Sequence, residues 1–345
     1  MTPLPPVPPA QELPALPHWR TLDFISDLHL QASEPATLAA WRQYLQGTPA
    51  DALFILGDLF EVWVGDDALD EAGSFEAQCA ALLLATSQRL PVFFMHGNRD
   101  FLVGDRFFQR SGATGLSDPT VLGFGGQRWL LSHGDALCLD DVDYQRFRTV
   151  VRGAIWQQQF LAQPLQLRRS QARAMRAQST ALQRPAQTYA DVDGPAACAW
   201  LQATASSVLV HGHTHRPADH ALAPGLSRSV LSDWELDATP PRAEVLRLHL
   251  PGNGAADCQV QRLSPTQAAK AVQPRPFCPH GFAAPLVATA GQCGAPQRGA
   301  RARHSARPVA ADAAALPFSV GADAAGTGQA ARPECLVSAA QAVPW

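Results

Sequence analysis

The 345-residue sequence is nearly devoid of lysine and contains no long hydrophobic run. Of its 27 basic residues only Lys270 is a lysine, a bias that indicates GC-rich coding rather than a special use of guanidinium groups. No window approaches the run of about 18 apolar residues that a membrane-spanning helix requires. The N-terminal segment MTPLPPVPPAQELPALPHW lacks the basic and apolar regions of a secretory signal. The sequence therefore predicts neither an integral membrane protein nor a secreted one.

Cysteine and positive charge are also limited. Seven cysteines are present, but no two of them form a CxxC pair, which favours free thiols in a reducing compartment such as the cytoplasm. The net charge of −3 excludes a strongly basic nucleic-acid binder on global grounds. The charge is unevenly distributed. The last 82 residues carry seven basic and three acidic residues, a net charge of +4, so the rest of the chain carries a net charge of −7.

Short β-branched and aromatic runs alternate with helical stretches from about Arg20 to Leu263, which predicts an α/β or layered α/β fold. The runs are mostly short and apolar, as expected of strands buried on both faces. The last of them is expected to close the sheet near Leu250. The predicted strands lie at residues 22–26, 52–56, 92–96, 129–132, 208–211 and 243–248.

Composition divides the chain into three parts. Residues 1–19 form a proline-rich, extended arm and residues 20–263 a folded domain. Residues 264–345 are rich in Ala, Pro, Gly, Gln and Arg without periodicity, which is typical of a disordered or out-of-frame tail. Truncation after about residue 264 is then expected to leave folding and activity unchanged. A functional basic tail is the alternative.

An arginine-rich segment interrupts the acidic domain. Between Asp143 and Arg184, eight arginines and one aspartate are interleaved with aromatic and aliphatic residues. Pro164 divides this segment into two predicted helices, because an interior proline removes a backbone hydrogen bond. The pattern suits either a solvated helical face or a surface for an anionic amphiphile or a membrane.

Five short motifs place oxygen or imidazole ligands at the ends of predicted strands. They are DLH (27–29), GD (57–58), GNRD (97–100), HGD (133–135) and HGH (211–213). Each motif alone is weak, but all five, each closing a strand, indicate a common metal site. The mixed oxygen and nitrogen set lacks thiolates, which disfavours structural zinc and suits Mn²⁺, Fe or catalytic Zn²⁺. The candidate ligands are Asp27, His29, Asp58, Asn98, His133, His211 and His213.

The order and wording of these motifs resemble the calcineurin-like metallophosphoesterase superfamily. FISDLHL (24–30), ALFILGDLFEVWVGDD (52–67), FMHGNRDFLVG (94–104) and VHGHTHRPADH (210–220) are similar to one branch, the UDP-2,3-diacylglucosamine hydrolases. The resemblance covers about residues 20–250 and neither the arm nor the tail. It implies a layered α-β-β-α sandwich with a dinuclear metal site at strand ends and a helical cap inserted at about residues 140–190.

The same resemblance implies how the two metal ions, Mn²⁺ by preference, are held. One ion belongs to Asp27, His29, Asp58 and His213, and the other to Asp58, Asn98, His133 and His211, so that Asp58 is the bridge. One carboxylate can span two cations about 3.5 to 4 Å apart. Arg99 stands where many relatives carry histidine and is expected to stabilise charge developing on a pyrophosphate. His96, Asp100, Asp135 and His215 are expected to orient the ligands.

The implied reaction is hydrolysis of the pyrophosphate bond of UDP-2,3-diacylglucosamine to UMP and 2,3-diacylglucosamine 1-phosphate (lipid X), in lipid A biosynthesis. Gln183 and Arg184 are stand-ins for an Asn and a Lys of the family, because this chain is about two residues shorter there. The implied substrate contacts are Asn98, Arg99, Asp141, Tyr144, Phe147, Arg176, Ser179, Gln183, Arg184 and His211.

The lipid substrate and the basic cap together imply a peripheral protein at the inner face of the cytoplasmic membrane, with no nucleic-acid or protein partner. Two alternatives stay open. One is a metallophosphoesterase that acts on another nucleoside diphosphate derivative, a cyclic nucleotide or a phosphoprotein, for which the arginine-rich aromatic cap has no evident use. The other is a binding module that has lost its metal, which the complete set of ligand positions argues against.

Overall fold

A computed structural model describes residues 4–182, 190–252 and 258–270, the side chains of 177–182 excepted. The strands in this part of the chain are β1 (Gln11–Pro14), β2 (Thr21–Ile25), β3 (Ala52–Leu56), β4 (Val92–Met95), β5 (Thr114–Leu116), β6 (Thr120–Phe124), β7 (Gln127–Leu131), β8 (Val208–His211), β9 (Ala218–Ala223), β10 (Leu226–Val230), β11 (Val245–His249) and β12 (Gln259–Leu263). The helices are α1 (Pro35–Gly47), α2 (Phe75–Ser87), α3 (Asp105–Ser111), α4 (Val142–Val151), α5 (Ala154–Leu161), α6 (Leu165–Leu182), α7 (Gly194–Ala203) and α8 (Pro265–Ala268).

The strands form two six-stranded mixed sheets. The first has the order β12-β11-β2-β3-β4-β5 and the second the order β1-β6-β7-β8-β10-β9. Strands β2 to β5 are parallel, with Leu22 opposite Ala52 and Leu53 opposite Val92. Every residue of β2 and β3 is buried, which explains the continuous apolar sequence of β3. The parallel arrangement brings the carboxyl ends of neighbouring strands to one edge of the sheet.

Three apolar clusters show how the layers stack. The two sheets face each other across a core that includes Phe24, Phe54, Leu131 and Val210. The outer face of the first sheet packs against α1, α2 and α3, and the outer face of the second packs against α7. The predicted layered α-β-β-α sandwich is thus confirmed.

Helices α4, α5 and α6 form the inserted cap, and we refer to the other described residues as the body. Three helices replace the two predicted, because Gly153 ends the first helical stretch ahead of Pro164. Tyr144, Phe147 and Phe160 extend the core on the outer face of the first sheet. The cap is therefore packed onto the body through its own apolar face. None of the described helices combines the length and apolar character needed to cross a membrane.

The predicted domain boundaries are too narrow at both ends. β1 lies inside the predicted arm, yet it pairs in parallel with β6 as an edge strand. β12 pairs with β11 at the other edge, so the sheet does not close near Leu250. Helix α8 lies within the predicted tail, where Ser264 and Gln267 form a capping box and Ala268 is fully buried. The edge strands were not predicted because edge positions tolerate proline and polar residues and carry no apolar run.

Candidate active site

The five ligand motifs meet where strands of both sheets end. Several of the residues there have a positive backbone φ, a conformation that costs non-glycine residues about 1 to 3 kcal/mol and persists only where the surroundings demand it. Such strain is concentrated at functional sites. The residues concerned are Asp27 (54°), His29 (48°), Asp58 (53°), His213 (67°) and His215 (51°).

The carboxylate of Asp27 joins two overlapping groups of candidate ligands. Asp27, Asp58 and His133 offer ligand atoms that all lie within 4.8 Å of one another. The same holds for Asp27, His29 and His215. In the structure, His215 therefore lies beside Asp27 and His29, where the resemblance places His213.

Asn98 and His213 lie with the first of these groups. Asn98 Oδ1 accepts a hydrogen bond from His133 Nε2 at 2.9 Å and lies 2.8 Å from His213 Nδ1. His213 keeps a link to Asp27 through its backbone N–H, which donates to both carboxylate oxygens at 3.1 and 2.9 Å. The predicted ligands Asp27, Asp58, Asn98, His133 and His213 are therefore in mutual contact.

Backbone carbonyls orient two of the imidazoles. His133 Nδ1 donates to the Leu56 carbonyl at 2.9 Å, and His211 Nδ1 donates to the Gly212 carbonyl at 2.8 Å. His211 Nε2 is buried and has no hydrogen-bond partner. A buried polar atom without a partner is costly, and an imidazole oriented through its other nitrogen is a common metal ligand. The orphaned nitrogen thus fits a metal ion.

Two glycines let the backbone pass close to the carboxylates. A Cβ atom at Gly97 would collide with Asp58 Oδ1, and one at Gly212 would collide with Asp27 Oδ2. Asp58 Oδ1 also accepts the backbone N–H of Arg99 at 2.8 Å. The carboxylates are therefore held by the backbone itself, and the set of carboxylate, amide and imidazole donors fits Mn²⁺, Fe²⁺ or Zn²⁺.

The protonation of the imidazoles differs across the site. Burial lowers the pKa of His211 and of His213 to about 4, so both rings are neutral near pH 7. Burial also opposes protonation of His133, but the charges of Asp58 and Asp27 outweigh it and raise that pKa to about 9. A cation that binds His133 therefore displaces a proton, whereas His211 and His213 are ready as ligands.

Two of the predicted orienting residues hold the loop that carries Asn98 and Arg99. Asp100 is fully buried and accepts the backbone N–H groups of Gly97 at 2.8 Å and Asp58 at 3.3 Å. Its burial and the nearby Asp58 carboxylate raise its pKa to about 7. His96 Nε2 donates to the Val103 carbonyl at 2.8 Å and so stabilises the same loop.

A cleft of about 570 Å³ opens over the ligands and is shared by body and cap. Asn98 and Arg99 line it from the body, and Asp141, Tyr144 and Arg176 line it from the cap side. Five of the predicted substrate contacts therefore face one cavity.

Tyr144 and Asp141 are placed by the start of α4. The Asp141 carboxylate caps the helix by accepting the Tyr144 backbone N–H at 3.0 Å. The Tyr144 hydroxyl donates to Asp135 at 2.5 Å, and its ring centroid lies 5.9 Å from that of His213. Asp135, predicted as an orienting residue, also accepts from Arg148 at 2.8 Å and so binds α4 to the body.

Two other predicted substrate contacts, Phe147 and His211, do not line the cleft. Phe147 is 2% exposed and packs in the core beneath the cap, where a helix buries its apolar face. His211 is fully buried below the cleft surface. The side chain of Ser179 and residues Gln183 and Arg184 lie outside the described residues, so these three stay predictions.

One functional candidate is absent from the sequence-based set. Glu61 lines the cleft and lies 3.3 Å from His29, 3.8 Å from Arg99 and 2.6 Å from Arg176. The signal available in the sequence is its position in the GDLFE phrase, three residues after Asp58.

Known proteins share this sequence pattern. The family of calcineurin-like phosphoesterases matches residues 20–217. The UDP-2,3-diacylglucosamine hydrolase of Ralstonia nicotianae is 46% identical over 238 residues, which cover 65% of this chain and 88% of that protein. The enzyme of the same name from Chromobacterium violaceum is 48% identical over 222 residues, 62% of this chain and 90% of that protein. That from Xanthomonas axonopodis pv. citri is 45% identical over 224 residues, with 61% and 90% covered. This chain belongs to the calcineurin-like phosphoesterases and, among them, to the family of the UDP-2,3-diacylglucosamine hydrolases.

Proposed function

We propose that this chain hydrolyses the pyrophosphate bond of UDP-2,3-diacylglucosamine and releases UMP and 2,3-diacylglucosamine 1-phosphate, a step of lipid A biosynthesis. The supporting observation is a single cleft in which the ligands of the body face polar side chains of the cap. The relatives that carry the name of this activity are 43 to 48% identical and are covered over about nine-tenths of their length.

Two divalent cations, Mn²⁺ in our proposal, complete the site. When bound, such ions polarise the phosphoryl oxygens and activate the attacking water. Asp58 would be the ligand shared by the two ions, since one carboxylate has two oxygens to offer. The residues proposed to hold them are Asp27, His29, Asp58, Asn98, His133, His211 and His213, with His215 as a further candidate beside Asp27 and His29.

Arg99 supplies a fixed positive charge next to Asp58. Its backbone N–H is bonded to the Asp58 carboxylate, and its buried Nε has no hydrogen-bond partner. The proposed leaving group is a sugar 1-phosphate, whose second pKa of about 6 makes a proton donor less necessary than charge stabilisation. Guanidinium N–H groups suit that task because they bind phosphate oxygens in pairs.

The cap side of the cleft suits the acylated sugar phosphate. Arg176 brings a guanidinium group into the cleft, Asp141 brings a carboxylate, and Tyr144 lines it with its hydroxyl bonded to Asp135. These groups match a phosphate and the hydroxyl and amide groups of an acylated glucosamine. Body and cap together thus offer charge complementarity to both ends of the scissile bond.

We also propose that the protein acts as a peripheral protein at the inner face of the cytoplasmic membrane. The cap exposes apolar side chains together with Arg146, which is 74% exposed, and such a combination suits a surface that binds anionic lipid. Fractionation without detergent at low salt that leaves all of the protein in the supernatant would contradict this location. The exposed apolar residues are Val142, Val150, Ile155, Leu161 and Leu167.

The activity is tested by UMP release from UDP-2,3-diacylglucosamine with purified, Mn²⁺-loaded protein. Asp58→Ala is expected to reduce turnover by more than about 100-fold, since even residues behind metal ligands cost about 10- to 100-fold. Arg99→Ala is expected to reduce kcat by about 100- to 1,000-fold, as for loss of a donor to developing charge. Asp70→Asn, at a surface ion pair with Arg106, is the control with unchanged activity.

The outcome that contradicts the substrate assignment is equally concrete. If the wild-type protein cleaves bis(p-nitrophenyl) phosphate but releases no UMP from the lipid substrate, the metal site stands and another nucleotide or phosphodiester is the substrate.

A further inference from the structure

Glu61 lies between the metal ligands and the cap. It follows β3 and the Gly57-Asp58 turn, and its backbone N–H donates to the Leu30 carbonyl at 3.2 Å. That bond ties it to the loop that carries His29. Its side chain is 15% exposed and lines the cleft.

The two carboxylate oxygens of Glu61 have different neighbours. Oε2 lies 3.3 Å from His29 Nδ1. Oε1 accepts from Arg176 Nε at 2.6 Å and lies 3.8 Å from Arg99 NH1. One side chain therefore contacts a predicted metal ligand on one side and two arginines of the substrate cleft on the other.

A carboxylate in this place needs an explanation, because the cleft is proposed to receive a pyrophosphate. Its charge opposes binding of an anion, and its partial burial is unfavourable without compensation. His29, Arg99 and Arg176 supply that compensation and hold the pKa of Glu61 below its usual value against the effect of burial. The charge of Glu61 is thus balanced by the three groups around it.

We propose that Glu61 is a positioning residue that couples the cap to the metal centre. Oε2 lies 3.3 Å from His29 Nδ1, a buried nitrogen without a hydrogen-bond partner, and its charge orients the imidazole, as carboxylates do behind metal-binding histidines. Oε1 fixes Arg176 of α6 relative to the same histidine. The contact at Nδ1 leaves His29 Nε2, which lies 3.3 Å from His215 Nε2, facing the candidate ligand group. A change in the cap then alters the affinity for the metal ion. Loss of Glu61 alters both that affinity and the position of Arg176.

The first measurement is the Mn²⁺ affinity by equilibrium dialysis, without substrate. Glu61→Gln keeps the size of the side chain but removes its charge, and we expect Mn²⁺ binding about 10- to 100-fold weaker. Arg176→Ala removes no ligand, yet coupling predicts a loss of Mn²⁺ affinity of several-fold, because Oε1 of Glu61 then keeps only the longer contact with Arg99. Arg176 is 40% exposed, so this variant is expected to fold even if Glu61→Gln does not.

The second measurement is steady-state turnover of UDP-2,3-diacylglucosamine at saturating Mn²⁺, which rests on the proposed function. Each single variant is expected to raise KM. The double variant is expected to raise KM no further than the more affected single variant, since both act through one contact. Thermal unfolding of each protein verifies that it is folded.

Glu71→Gln is the matched control. Glu71 pairs at 2.6 Å with Arg169, which lies on α6 like Arg176. Glu71 is 43% exposed and is not among the residues that line the cleft. It is expected to bind Mn²⁺ and substrate like the wild type. Wild-type Mn²⁺ affinity in the Arg176→Ala protein, or additive KM changes, overturns the coupling. Failure of the proposed function shows differently, as absence of UMP release by the wild type while the Mn²⁺ affinities still differ.

Discussion

The body and the cap both contain buried charge, but they pair it in different ways. In the body, Asp23 and Arg247 are 0% and 3% exposed and are joined by two bonds of 2.7 and 2.8 Å. In the cap, Arg168 is 2% exposed, but its partner Asp67 of the body is 45% exposed. The pair within the body is therefore shielded from solvent, whereas Arg168–Asp67, one of the pairs that attach the cap, reaches solvent and is weakened by salt.

This difference fits the separate roles that we propose for the body and the cap in the cleft. The proposed metal ligands need fixed positions, and Asp27 and Asp58 directly follow strands whose residues are all buried. The cap carries proposed substrate contacts and a solvent-facing apolar surface, and we expect its attachment to open at a lower cost than the sheet. Glu61 lies at the junction of the two regions.

The largest effect is expected from Asp23→Asn in the body. The change leaves the Arg247 guanidinium buried without its counter-ion and weakens the bonds from the Tyr44 hydroxyl at 2.9 Å and the Thr48 hydroxyl at 2.8 Å. Loss of one partner of a buried pair costs about 3 to 5 kcal/mol of the free energy of unfolding. Urea denaturation measures this cost.

The control for Asp23→Asn is Asp70→Asn, which makes the same chemical change at an exposed ion pair. It is expected to leave the unfolding midpoint in place. Equal midpoints for the two variants would show that the buried pair does not distinguish the body.

The contrast also explains what the sequence could predict. Asp27, Asp58 and His133 each follow an apolar run, and Asp27 and Asp58 follow neighbouring parallel strands, so these candidate ligands could be predicted from their places at strand ends. The contact between Glu61 and Arg176 joins positions 115 residues apart across two regions, and no periodicity points to it.

The choice between His213 and His215 was equally hidden from the sequence. They lie two and four residues after His211, so spacing does not distinguish them. Each adopts a positive φ, and such local turns decide which imidazole faces Asp27. The edge strands β1 and β12 were not predicted because an edge position is specified by its neighbour rather than by an apolar pattern.

A smaller effect is expected from Arg168→Met in the cap. Arg168 bonds to the carbonyls of Val64 and Gln163 and to the Asp67 carboxylate. Methionine keeps the apolar length but leaves the carbonyls without this donor, at a cost of about 1 to 3 kcal/mol. Since the cap is loosened but the proposed metal ligands keep their own contacts, turnover of the lipid substrate at saturating Mn²⁺ is expected to fall while cleavage of bis(p-nitrophenyl) phosphate under the same conditions persists. Limited proteolysis at α6 reports the loosening, and a parallel loss of both activities would show that cap and body are not separable.

The smallest effect concerns the end of the body, where the expectation of a dispensable tail from residue 264 requires correction. The Ala268 carbonyl accepts a bond from Arg247 at 2.9 Å, and the backbone of Ala269 lies so close to Gly47 of α1 that a Cβ atom there would meet its oxygen at 2.6 Å. Truncation after Leu263 removes this partner of Arg247 and is expected to cost about 1 kcal/mol, the net contribution of one hydrogen bond. Truncation after Lys270 keeps the bond and is expected to match the full chain in urea denaturation and in UMP release.

Asp23 and Ala268 share Arg247 as a partner. Truncation after Leu263 combined with Asp23→Asn is therefore expected to cost less than the sum of the two changes. Strict additivity would mean that α8 is held independently of the buried pair.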